Sequence, residues 1–204
     1  MVRTAKDALE LVKRHRVVPM TPVPGFRSLV GEIAGGPVRG SWWGHPKGSL
    51  MFDLANVLHD SRDVVAARLL EGKVTFIHKS LWPALVRVVS DGEWRQSSLR
   101  RFGSLEKRIL SAVEAKGRVE ADRLTAAKGD RKLFKKAIDR LAGGMALLTA
   151  NVHTEKGSHA MILTSWSEWA TAPTRAAARR LEFDKALETL RSACGGALYG
   201  LSPE

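Results

Sequence analysis

The sequence predicts an α+β chain that is mainly helical: a helical N-terminal region with one short strand, then three helices and a β-hairpin, then a C-terminal helix. Three observations carry this expectation. Apolar residues recur at i, i+3, i+4 and i+7 in most segments. β-compatible runs are confined to residues 73–79 and to the stretches MALLTANV and HAMILTSW. Glycine, proline and aspartate punctuate the chain between these segments. At 204 residues, 44% of them hydrophobic and 26% charged, the chain is long enough for a real core and has an ordinary globular composition. The expected divisions are residues 1–94, 95–170 and 171–204.

In order, Thr4 to His15 reads as a first helix, closed by Val17, Val18 and a connector holding Pro19, Pro22 and Pro24. Phe26, Leu29, Val30 and Ile33 form one face of a second helix, ended by Gly35 and Gly36. Leu50, Met51, Leu54, Val57 and Leu58 make a third stripe. Ser61 is then placed to cap a helix whose inner face is Val64, Val65, Leu69 and Leu70, stopped by Gly72. KVTFIHK alternates and is rich in β-branched and aromatic residues, so it reads as the one strand of this half. Ser80 caps the helix LWPALVRVV, with Pro83 tolerated in its first turn, and Asp91 and Gly92 mark a boundary.

From Ser104 the pattern becomes more specific. Leu105, Ile109, Leu110 and Val113 form a buried stripe that Gly117 terminates. Residues 118–120 allow one rung of strand, residues 121–127 a short helix, and Gly129 and Asp130 break and cap again. The helix over residues 130–141 is expected to bury Leu133, Phe134, Ala137, Ile138 and Leu141. That leaves Arg131, Lys132, Lys135, Lys136 and Arg140 facing outward. The two β-compatible runs then pair as a hairpin across residues 153–158. A last helix over residues 174–193, with Leu181, Leu187 and Leu190, covers the core or pairs two protomers as a homodimer.

The net charge of +12 is concentrated in the middle of the chain. Residues 95–170 carry 15 Lys/Arg against 8 Asp/Glu, while residues 1–94 carry 13 against 9. Nucleic acid is the commonest partner of a basic domain, although an acidic protein surface would suit the same excess. The lone Cys194 excludes an internal disulfide, and no His/Cys spacing suits zinc, so no metal or cofactor is expected and a reducing cytoplasm fits. No leader-like run opens the chain, and no stretch approaches the ~18 apolar residues of a membrane span.

The stretch SWWGHPKG raises a separate question. Trp42 and Trp43 could stack on a nucleobase, with His45 and Lys47 beside them and Asp53 as a general base if the loop folds back. They could equally be core residues in a turn. His153 and His159 flank the hairpin turn as surface contacts. There is no phosphate-binding glycine loop and no nucleophile elbow.

The order helix, rung, short helix, basic helix, hairpin over residues 103–168 resembles a winged-helix domain. The resemblance implies a recognition helix over residues 130–141 that enters the major groove of double-stranded DNA. It also implies a wing whose tip, residues 154–158, includes Lys156. GSWWGHPKG and GKVTFIHKSLWPAL are in turn similar to winged-helix proteins related to the AlkZ DNA glycosylases, which act on alkylated or crosslinked DNA. The active glycosylases carry Gln-x-Gln or Gln-x-Asp. This chain has one glutamine, Gln96, in WRQSS, so the resemblance carries over neither the activity nor its catalytic residues. Two functions are therefore expected in order. The first is a non-catalytic DNA-binding protein, regulatory or associated with DNA repair, using Arg131, Lys132, Lys135, Lys136, Arg140 and Lys156. The second is a glycosylase-like enzyme acting on a flipped base near Trp42, Trp43, His45 and Asp53. A protein-interaction module is a third use of the same domain.

Overall fold

The computed structural model describes residues 1–124, 131–153, 159–196 and 198. The fold is α+β and mainly helical, with two three-stranded antiparallel sheets among the described residues. Helix α1 (Ala5–His15) starts at a capping box, in which the Thr4 hydroxyl accepts from the Asp7 N–H and the Asp7 carboxylate accepts from the Thr4 N–H. Val17–Pro19 continues as strand β1, not as a plain connector. Helix α2 (Leu29–Ala34) is capped by Ser28, which leaves Phe26 outside it, packed on a different core. Helix α3 (Gly48–His59) follows.

The largest departure from expectation comes next. Residues 64–70 form strand β2 (Val64–Leu70), joined by a two-residue turn to β3 (Lys73–His78). Glu71 and Gly72 both have positive φ, 47° and 68°, the backbone that a tight hairpin turn requires. The sheet order is β1-β3-β2, so the N-terminal half holds three strands and not one. Its two faces explain why a helix was expected. Val65, Ala67 and Leu69 face a core that includes α4 (Trp82–Val89), while Val64 and Ala66 face a second core built with α1, α2 and α3. A strand covered on both faces shows no polar alternation, and its apolar run then imitates a buried helix.

Before α4, a 3₁₀ turn spans Lys79–Leu81, and the His78 ring accepts from the Ser80 N–H, the capping role expected of Ser80 itself. Asp91 accepts from the Glu93 and Trp94 N–H groups at the start of α5 (Gly92–Arg100), a helix absent from the sequence reading. Helix α6 (Ser104–Lys116), strand β4 (Arg118–Glu120) and a 3₁₀ turn at Ala121–Leu124 come next. The rest of the expected short helix, and Asp130, lie outside the described residues. Helix α7 (Arg131–Gly143) leads to β5 (Leu148–His153) and β6 (His159–Thr164), paired from Leu148↔Thr164 to His153↔His159, and β4 adds to the free edge of β6.

A third core joins Ile109, Leu110 and Val113 of α6 to Ala137, Ile138 and Leu141 of α7 and Leu163 of β6. Leu105 and Phe134, expected inside it, pack against it half-buried, and Leu133 departs further. Leu133 is 57% exposed and Phe134 is only half-buried, because the buried stripe of α7 is shifted toward its C-terminal half, Ala137 to Gly143. The expected single C-terminal helix is two, α9 (Ala172–Arg179) and α10 (Phe183–Ala193), after the single turn α8 (Trp166–Trp169). Ala186, Leu187 and Leu190 of α10 are buried with Leu85 and Val88 of α4, so its apolar side is covered within the chain. Met145, Leu148 and Trp166 enter the same core, and the Trp166 indole N–H donates to the Met145 carbonyl at 2.7 Å.

Candidate nucleic-acid interface and the adjoining aromatic cleft

Helix α7 presents Arg131, Lys132, Lys135 and Lys136 to solvent, and none of the four makes an ion pair among the described residues. Arg140 differs. Its guanidinium donates to the buried Glu106 carboxylate at 2.8 Å and to the Arg101 carbonyl at 3.1 Å, so it is engaged in holding α6 and α5 to α7. Asp139 accepts from Arg68 of β2 at 2.7 Å, tying the C-terminal half of α7 to the N-terminal sheet. The cations left open to a ligand are therefore those of the N-terminal half. Lys156 lies outside the described residues.

The SWWGHPKG segment is a 3₁₀ turn at Trp42–Gly44 folded onto the first turn of α3. Gly48 sits against it so closely that a Cβ would lie 2.9 Å from the Trp43 carbonyl oxygen. The Lys47 ammonium donates to the Ile33 and Ala34 carbonyls at 2.8 and 3.3 Å, satisfying the end of α2 in the manner of a C-terminal cation. His45 Nδ1 accepts from the Lys47 N–H at 3.1 Å. These two residues build the turn. Trp42 is half-buried on the second core, and Trp43, stacked on it with centroids 4.2 Å apart, is 62% exposed. Asp53 stands exposed on α3, and no hydrogen bond joins it to His45 among the described residues.

Trp42 and Trp43 open onto a cleft of about 630 Å³. One wall is α3, which contributes Phe52, Ala55, Asn56 and His59 at i, i+3, i+4 and i+7. Phe52 lies 5.3 Å from Trp43 between ring centroids, and His59 meets Phe76 of β3 edge-on at 5.5 Å. The opposite wall is Thr149, Ala150 and Asn151 of β5 with Met161 of β6. Arg68, spanning from β2 toward α7, links the walls. It donates to Asp139 and to the Gly72 carbonyl, and its Nε has no partner among the described residues. His59 keeps an exposed edge, but partial desolvation of its ring by the surrounding residues lowers the imidazole from the ordinary histidine range, and the neighbouring Asp60 carboxylate opposes that shift.

The residues singled out from sequence thus fall into two groups: the α7 cations on one element, and the tryptophan pair at the mouth of the cleft. Phe52, Asn56, His59, Arg68 and Asn151 were not foreseen. For α3 a signal existed, since an aromatic, an amide and an imidazole recur at helical spacing on the face beside the Met51–Leu54–Leu58 stripe. For Arg68 and Asn151 there was none, because each reaches the cleft only through strand pairing.

Among the described residues, no helix is long and apolar enough to cross a membrane, and no three His, Cys, Asp or Glu side chains gather as a metal site. No curated protein and no solved structure matches the chain. The sequence profile of the family described as AlkZ related matches residues 2–198, nearly the whole length, and takes in the tryptophan turn, the cleft and α7 alike. The chain belongs to the AlkZ-related family.

Proposed function

We propose that the chain is a non-catalytic DNA-binding protein associated with DNA repair, acting in the cytoplasm as a winged helix. In this reading α7 is the recognition helix and the β5–β6 hairpin is the wing. One observation carries it. Four cations, Arg131, Lys132, Lys135 and Lys136, stand on the exposed half of a helix that follows α6, β4 and a 3₁₀ turn and precedes a hairpin. A lysine face neutralises phosphates, and Arg131 at the helix start has the fork geometry for guanine O6 and N7. Membership of the AlkZ-related family supports the association with DNA repair.

Catalysis is not part of this reading. The only glutamine of the chain, Gln96, is exposed on α5 and forms no Gln-x-Gln or Gln-x-Asp motif. His45, moreover, is spent on the turn that holds Trp42 and Trp43. The test is duplex affinity of the wild type beside a Lys132→Gln, Lys135→Gln, Lys136→Gln variant. The variant should bind plain duplex much more weakly while melting at nearly the same temperature, since exposed charges contribute little to stability. Unchanged affinity would refute the assignment of α7.

A further inference from the structure

We propose that the cleft between α3 and the β5–β6 hairpin receives one unpaired nucleobase of the bound DNA and holds it without chemistry. The inference rests on the DNA-binding reading above and names what that site would recognise beyond the phosphates.

The lining chooses the ligand class. Among the described residues Trp43 offers the most exposed large ring, with Phe52 beside it, and aromatic faces of this kind stack on any base. Apart from Arg68 and His59, the polar groups around them are neutral. Asn56 and Asn151 each carry a donor and an acceptor on one amide, and Thr149 adds a hydroxyl, which suits the mixed donor and acceptor edge of a base. Among the described residues no lysine lines the cleft, and the arginine that does, Arg68, is bound to Asp139 and the Gly72 carbonyl, with its Nε alone left without a partner there. A phosphate is therefore poorly served inside, whereas a planar uncharged ring is well served. A volume of about 630 Å³ leaves room for the ring and part of its sugar.

Continuity with α7 fixes the source of that base. Asp139, which Arg68 of the cleft wall grips, lies seven, four and three residues after Lys132, Lys135 and Lys136, so the cationic face of the helix turns toward the same side. A duplex held on those lysines would bring its strand past the mouth of the cleft. Trp43 and Phe52 would then take a base that is already out of the stack, the cheapest kind to accept.

Two duplexes of equal length, one fully paired and one with a single bulged adenine, separate the two claims. The paired duplex reads the α7 interface alone, and the ratio of the two affinities reads the cleft. The wild type should favour the bulged duplex by about ten-fold, and Trp43→Ala should bring that ratio near one with paired-duplex affinity unchanged. Asn56→Ala, on an otherwise intact wall, should lower the ratio in the same sense and serves if the tryptophan variant folds poorly. Equal wild-type affinity for the two duplexes, or a ratio that survives both substitutions, overturns the cleft as a base site and leaves the α7 reading standing. A wild type that binds neither duplex overturns both.

Discussion

Arg68 shows how much of this molecule turns on single side chains. It leaves a strand of the N-terminal sheet, crosses the edge of the cleft and reaches Asp139 on α7, with about a third of each side chain exposed. Such a pair is partly screened by water, so its value is modest; Asp139→Ala should cost about 1 kcal/mol in denaturant unfolding. The same substitution should leave the far core around Leu85 and Leu187 intact. His59 gives a pH signature. Its folded pKa lies below the usual 6.5, so as pH falls through that value the unfolded chain takes up a proton that the folded chain resists. Stability should accordingly decline as pH drops from above 6.5 toward the depressed value, and His59→Gln should remove part of that decline in melting temperatures recorded along a pH series. His78, shifted in the same direction mainly by desolvation, would keep the remainder.

At the scale of elements, legibility followed the local signals each element carries: spacing, caps and β-propensity. α1, α3 and α6 each bury one side against a core and were readable from spacing and caps, while β3, with Phe76 and Ile77 in different cores, is covered on both faces and was readable from its β-branched and aromatic residues. β2, covered on both sides, was mistaken for a helix, and the short β1 was hidden because three residues carry no period. On α7 the basic face was legible, but the inner stripe was expected to begin about one turn too early. Phe134 is half-buried and Leu133 is exposed, while the packing is carried by Ala137, Ile138 and Leu141. Unfolding should register this difference: Phe134→Ala should cost about 2 kcal/mol, below the usual range for a fully buried ring, and Leu133→Ala markedly less. Equal large losses at both positions would mean that α7 packs as the sequence pattern first implied. The C-terminal segment was read as one helix although Leu181, which lies in the break between α9 and α10, stands six residues from Leu187, off the helical spacing that Leu187 and Leu190 keep.

The whole molecule joins its three stretches through shared burial. The core on one side of the N-terminal sheet collects Val17, Leu85, Met145, Trp166 and Leu187, residues drawn from nearly the full length of the chain. This is also why the cleft was invisible in the sequence: its lining comes from Met20 and from residues 42–59, 68–76 and 149–161, and only folding brings them together. The cations of α7, by contrast, needed only one helix to be noticed, and they carry the central claim. The most direct measurement is duplex affinity as a function of salt, for the wild type and for the variant lacking Lys132, Lys135 and Lys136. If four phosphates are neutralised, log K should fall with log salt at a slope of about −4, and the variant should lose up to about three units of that slope. A wild-type affinity indifferent to salt, or a variant with the wild-type slope, would contradict the account.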